Sequence, residues 1–166
     1  MYAVAAFPGP DGRTLLATGG TEGTVRIWDP VAGTTLAVLN GTSRVGAAVV
    51  AFLGPDGRTL LATAGRDDTV RIYDPAAGTT QAVLTGHYDS VASMAAFPSP
   101  DGRTLLATGS DDHTVRIWDV ADGTEQTVLD GHGGWVRAVA AFPGPDGRTL
   151  LASGDIRGTV RIWDPV

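Results

Sequence analysis

Three histidines, His87, His113 and His132, and a set of aspartates at Asp11, Asp56, Asp101 and Asp146 are the residues whose types could do chemistry. Imidazoles serve acid–base steps and metal binding; paired or spaced carboxylates serve proton transfer and calcium. The context points elsewhere. Each of the four aspartates sits in a Pro-Asp-Gly turn, where proline presets one φ and glycine accepts the positive φ that closes the turn. No acidic loop with calcium spacing and no convergent acid pair is apparent. His113 stands alone in a turn whose counterparts are Gly23, Asp68 and Gly158, and it reads as a solvated turn residue. The chain has no cysteine, and all 12 of its basic residues are arginine. Thiolate chemistry, Schiff bases and a phosphate-loop lysine are thereby excluded. No serine-elbow or zinc-helix motif occurs either. The expectation is no catalytic residue, no metal and no cofactor.

The elements that position these residues form a repeat. PDGRTLLA begins at Pro10, Pro55, Pro100 and Pro145, a period of 45 without insertions. TVRI, an aromatic and an aspartate recur at the same interval, giving Trp28-Asp29, Tyr73-Asp74, Trp118-Asp119 and Trp163-Asp164. A unit this short cannot bury a hydrophobic face alone, so stacking of like units must supply the core. In the third repeat, residues 91–97, 104–108, 114–119 and 124–129 are short apolar runs between Gly, Pro and Asp clusters. That pattern predicts a four-stranded antiparallel meander. Val115 and Ile117 share one face while Arg116 and Trp118 share the other, so each sheet is covered on both sides. An all-β fold of sheets stacked face to face around an axis, a β-propeller, follows. The blades are expected at about 1–39, 45–84, 90–129 and 135–166. Four full periods of 45 would exceed the 166 residues by 14, so the last blade should lack its outer strand. The arginines at Arg13, Arg58, Arg103 and Arg148, and at Arg26, Arg71, Arg116 and Arg161, repeat with the fold. They read as strand and turn residues whose stems cover apolar surface.

Gly86-His87 and Gly131-His132, each followed by Trp-Asp with the tryptophan 31 residues beyond the histidine, resemble WD40 repeats across essentially the whole chain. The resemblance implies a hydrogen-bonded tetrad in each blade, and only the third repeat matches it throughout, with His87, Thr108, Asp112 and Trp118. The second has Thr42 for His and Tyr73 for Trp, keeping Thr63 and Asp67. The fourth keeps His132, Ser153 and Trp163 but has Arg157 for the aspartate. The first offers Thr18, Glu22 and Trp28. The first, second and fourth blades should therefore be held less firmly. The family's rings usually close with seven or eight blades, so four blades imply half of an eight-bladed ring made by two copies, or part of a longer array.

A net charge of −6 and scattered arginines argue against nucleic acid as a partner. No apolar stretch approaches the roughly 20 residues of a membrane span, and the first residues lack a basic signal region. A cytoplasmic protein with no membrane association is the expectation. The repeats also serve as an internal alignment. Turns on one face stay nearly constant, as in PGPDGR, LGPDGR and PSPDGR, whereas those on the other vary, as in GTSRVG, GHYDSV and GHGGWV. The variable face carries Arg44, Tyr88, Asp89, Trp135 and Arg137, residue types typical of interface anchors. Drift after duplication gives the same contrast if geometry constrains the other face more tightly, and Trp135 could equally pack over the neighbouring loop. The leading expectation is a non-enzymatic scaffold that binds a protein or peptide through the Gly-His face. The alternative is a self-assembling repeat unit, a homodimer whose main activity is ring formation.

Overall fold

The computed structural model describes residues 3–20, 23–40 and 45–165. Among them lie fifteen strands and no helix, hence no helix long and apolar enough to cross a membrane. The first sheet runs β1 (Ala3–Pro8), β2 (Thr14–Gly19), β3 (Thr24–Asp29) and β4 (Thr34–Asn40). The second is β5 (Val45–Leu53), β6 (Thr59–Gly65), β7 (Thr69–Asp74) and β8 (Thr79–Thr85). The third is β9 (Val91–Pro98), β10 (Thr104–Ser110), β11 (Val115–Asp119) and β12 (Glu125–Leu129). The fourth has three strands, β13 (Val136–Pro143), β14 (Thr149–Asp155) and β15 (Val160–Trp163). Every sheet is a meander in which sequence neighbours pair antiparallel.

Period-two alternation gives each sheet two apolar faces, and the core lies between sheets rather than within one. Phe97, Leu105, Ala107, Val115 and Ile117 of the third blade pack on Val136, Val139 and Leu151 of the fourth. Homologous clusters join the first blade to the second through Phe7, Leu15, Val25, Ile27, Leu61 and Tyr73, and the second to the third through Ile72, Leu106 and Trp118. The inner strands β1, β5, β9 and β13 lie side by side in that order. Their alanines, such as Ala95-Ala96 and Ala140-Ala141, let the sheets converge there. No comparable packing brings β13 back to β1 among the described residues.

Each junction repeats one polar contact. Thr59 donates to the carbonyl of Pro8 at 3.3 Å, Thr104 to that of Leu53 at 2.9 Å, and Thr149 to that of Pro98 at 3.4 Å. The threonine opening the second strand of one blade thus fastens to the end of the inner strand before it.

Candidate functional site

The third blade is tied by a chain of buried hydrogen bonds. Trp118 Nε1 donates to Thr108 Oγ1 at 2.9 Å, and Thr108 Oγ1 lies 2.7 Å from His87 Nε2. His87 Nδ1 lies 2.7 Å from Asp112 Oδ2. An ionised carboxylate only accepts, so Nδ1 carries the proton, and in the neutral ring Nε2 accepts from the Thr108 hydroxyl. Burial alone would raise Asp112, but hydrogen bonds from His87 and Thr114 outweigh it and hold the carboxyl well below the usual carboxylate range. The same oxygen takes the Tyr88 amide at 3.1 Å, while Ser110 Oγ donates to the Asp89 carbonyl at 2.9 Å and the Asp111 amide to that of Ser90 at 2.9 Å. The Gly-His loop between β8 and β9 is thereby clamped onto the β10–β11 turn.

The fourth blade corrects the expectation of a broken tetrad. Arg157 does occupy the aligned position, but Asp155, two residues earlier, places Oδ2 at 3.1 Å from His132 Nδ1. His132 Nε2 meets Ser153 Oγ at 2.6 Å, and Trp163 Nε1 donates to the same hydroxyl at 2.7 Å. Burial pushes Asp155 up, yet amides of Thr159 and Arg157 together with His132 hold it below the ordinary range. The relay is complete by substitution. In the first blade Trp28 Nε1 donates to Thr18 Oγ1 at 2.8 Å, while Glu22 of that blade and Thr42 of the second lie outside the described residues. In the second, Thr63 Oγ1 is buried with no hydrogen-bond partner among the described residues. His113 is half-buried rather than solvated, and its φ of 74° shares the left-handed region with Asp68 at 62°.

On the opposite face the repeated arginines are more than covering stems. Arg13 Nε pairs with Asp11 at 2.6 Å and its Nη1 with Asp29 at 2.6 Å. Arg58 bridges Asp56 and Asp74, Arg103 bridges Asp101 and Asp119, and Arg148 bridges Asp146 and Asp164. In the first three blades the aspartate after the aromatic is buried and also accepts backbone amides, as Asp74 does from Ala76 at 2.9 Å and Ala77 at 3.0 Å. In the third blade the Ser99 hydroxyl and Arg103 pull Asp101 down to about 2. The constancy of this face thus has a structural cause, and geometry does constrain it.

The varied face is judged by what it exposes. Tyr88 is 84% exposed, with the Arg116 guanidinium 5.6 Å from its ring centre. Trp135 is 45% exposed, and Arg137 stacks 5.0 Å from its ring while pairing with Asp111 at 2.9 Å. Arg137 therefore bridges the third and fourth blades as well as facing solvent. Asp89 caps the Ser90 amide at 2.7 Å with its side chain exposed, and Arg44 lies outside the described residues. Sequence reasoning missed Ile156, exposed in the β14–β15 turn of the same face. Its signal was an apolar residue where the other repeats have Thr21, Arg66 and Asp111. Among the described residues no three His, Asp or Glu side chains gather as metal ligands.

Antiparallel meanders stacked face to face through apolar clusters, with a Trp-Thr-His-Asp relay inside the blade, define a propeller-type repeat protein. The WD domain, G-beta repeat family matches residues 2–29, 33–74, 78–119 and 123–164, and the chain belongs to the WD40 repeat family. The matched units run out of step with the sheets, since 33–74 begins just before the outer strand of the first sheet and ends with β7 of the second. Comparison with curated proteins gives no match. Proteins of this family are generally interaction scaffolds rather than enzymes.

Proposed function

We propose that this protein is a non-enzymatic scaffold that docks a protein or peptide on the face carrying the Gly-His loops, around Tyr88, Asp89, Trp135 and Arg137. The observation that carries the reading is a large exposed aromatic, Tyr88, on a loop fixed by three hydrogen bonds to the neighbouring turn. A side chain presented from a fixed backbone loses little further freedom on binding. Trp135, stacked on Arg137 and half exposed, offers a second anchor of the same kind.

The reading is tested with peptides selected from a random display library on the wild-type chain. Tyr88→Ala and Trp135→Ala should each weaken the selected peptides by about 2 kcal/mol, roughly thirtyfold, with the melting temperature nearly unchanged. Peptides that bind both folded variants as tightly as the wild type would remove the docking claim. A large drop in melting temperature for Trp135→Ala would make it a packing residue instead. The self-assembly alternative draws on a different observation, the uncovered blade faces at the two ends of the array.

A further inference from the structure

We infer that the two ends of the blade array are complementary halves of the junction already used three times inside the chain, and that a second copy fills them to close an eight-bladed ring. The inference is independent of the docking face. Val115 and Ile117 are both fully buried at 0% exposure by the fourth blade, whereas their counterparts Val160 and Ile162 are 70% and 57% exposed. Phe142, Leu150 and Ala152 lie on that same face of the fourth blade, each less buried than the corresponding Phe97, Leu105 and Ala107. Part of the exposure of Val160 and Ile162 comes from the absence of a fourth strand beside β15 among the described residues.

At the other end, Val4, Ala6, Leu16, Thr18 and Trp28 share the outward face of the first blade. Val4 is 59% exposed, and Leu16 and Trp28 are half-buried where Leu61, Leu106, Leu151 and Trp118 are buried. One end therefore shows the leading half of a junction and the other end the trailing half. They are different surfaces, so contact between copies is head to tail, and such contacts either close a ring or grow without limit. Among the described residues the four blades do not close on themselves, and two copies joined head to tail supply eight.

The internal junctions also give the register. A methyl group at Gly109 would lie 2.8 Å from Val139, and Gly109 pairs across the sheet with Val115. One period later these are Gly154 and Val160, and one period past the end of the array the counterpart of Val139 is Val4. Val4 of the second copy thus seats on Gly154 and Val160, joining two of the most exposed apolar residues of the chain. The repeated threonine contact continues, with Thr14 of the second copy donating to the carbonyl of Pro143. A face of three to four strands, ~4.8 Å apart and ~18 Å long, covers roughly 300 Å². Four such faces at two junctions bury roughly 1,200 Å², within the range of specific stable interfaces.

Sedimentation of the 166-residue chain at micromolar concentration should show a single species of twice 17.0 kDa. Val160→Asp and Val4→Arg alone should each dissociate it, weakening association on the order of a hundredfold. Mixed in equal amounts they should restore the pair, because one junction is then unaltered and the other opposes Asp to Arg. As the chain has no cysteine, a Val4→Cys/Gly154→Cys double variant supplies a test that does not disturb the apolar face with charge. On oxidation it should give a reducible dimer with both thiols consumed. A wild-type monomer, folded charge variants that still dimerise, no disulfide, or a ladder of growing mass would each overturn the closed ring.

Discussion

Asp112 and Asp155 hold the histidines of the third and fourth blades from two different positions along the same turn. Each is a buried acceptor facing an imidazole N–H, so removing it leaves that donor without a partner. Asp112→Ala should lower stability by about 1–3 kcal/mol, read from the midpoint of urea unfolding. The pH dependence follows from the direction of the shift. Asp112 and Asp155 are both held below the ordinary carboxylate range in the fold. Their contribution is complete above the unfolded value of about 3.9 and is lost as pH falls from there through the folded values. Urea midpoints should therefore be flat near neutrality and fall steeply below about pH 4, and Asp112→Asn should make that fall shallower. Asp68 is the opposite case. Its φ is 62°, and burial, with Asp89 and Asp67 nearby, raises its carboxyl above the usual range. Asp68→Gly should raise stability by about 0.5–1 kcal/mol through release of the left-handed strain, which thermal unfolding would register.

Turns and strands show why some of this was legible in the sequence and some was not. The fifteen strands follow from apolar runs bounded by Pro-Asp-Gly, and the exposure of both faces to neighbouring sheets follows from Val115, Ile117 and Trp118 on one strand. Asp155 escaped because alignment by position asks only what stands at residue 157, not whether a carboxylate two residues earlier can reach the same ring. The Arg58–Asp74 pair escaped for a related reason. Its members are sixteen residues apart, at the start of one strand and the end of the next, and only the hairpin brings them to 2.6 Å. The expectation of covering stems accounted for the arginine's apolar length but not for where its guanidinium ends. That pair also sets a test for the constant face. Asp74 is buried and satisfies two amides of the β7–β8 turn, so Asp74→Ala should cost about 1–3 kcal/mol, whereas exposed Asp56→Ala should cost far less. Equal losses from the two substitutions, measured by denaturant unfolding, would show that the buried aspartate is not the anchor of the network.

At the scale of the molecule, three kinds of surface lie on different sides of the same stack. The Gly-His loops open on one face, the apolar halves of a junction lie at the two ends, and the outer strands line the rim. The outer edge of β15 belongs to the rim, where among the described residues the fourth sheet has no strand to match β4, β8 and β12. Unpaired edges of this kind recruit other chains, and residues 159–164 carry Val160 and Ile162 exposed alongside unpaired backbone. A segment copying residues 122–129, appended after residue 166, should pair with β15 as β12 pairs with β11, because positions 165 and 166 already correspond to 120 and 121. It adds backbone hydrogen bonds and covers Val160 as Leu129 covers Val115, so the melting temperature should rise by about 5 °C and aggregation on heating should fall. The added strand sits at the rim and leaves Val4, Leu16 and Trp28 uncovered, so the number of copies in solution should stay the same. A gain in melting temperature accompanied by conversion of a dimer to a monomer would mean that β15 edge pairing, and not face-to-face stacking of end blades, had been holding the copies together.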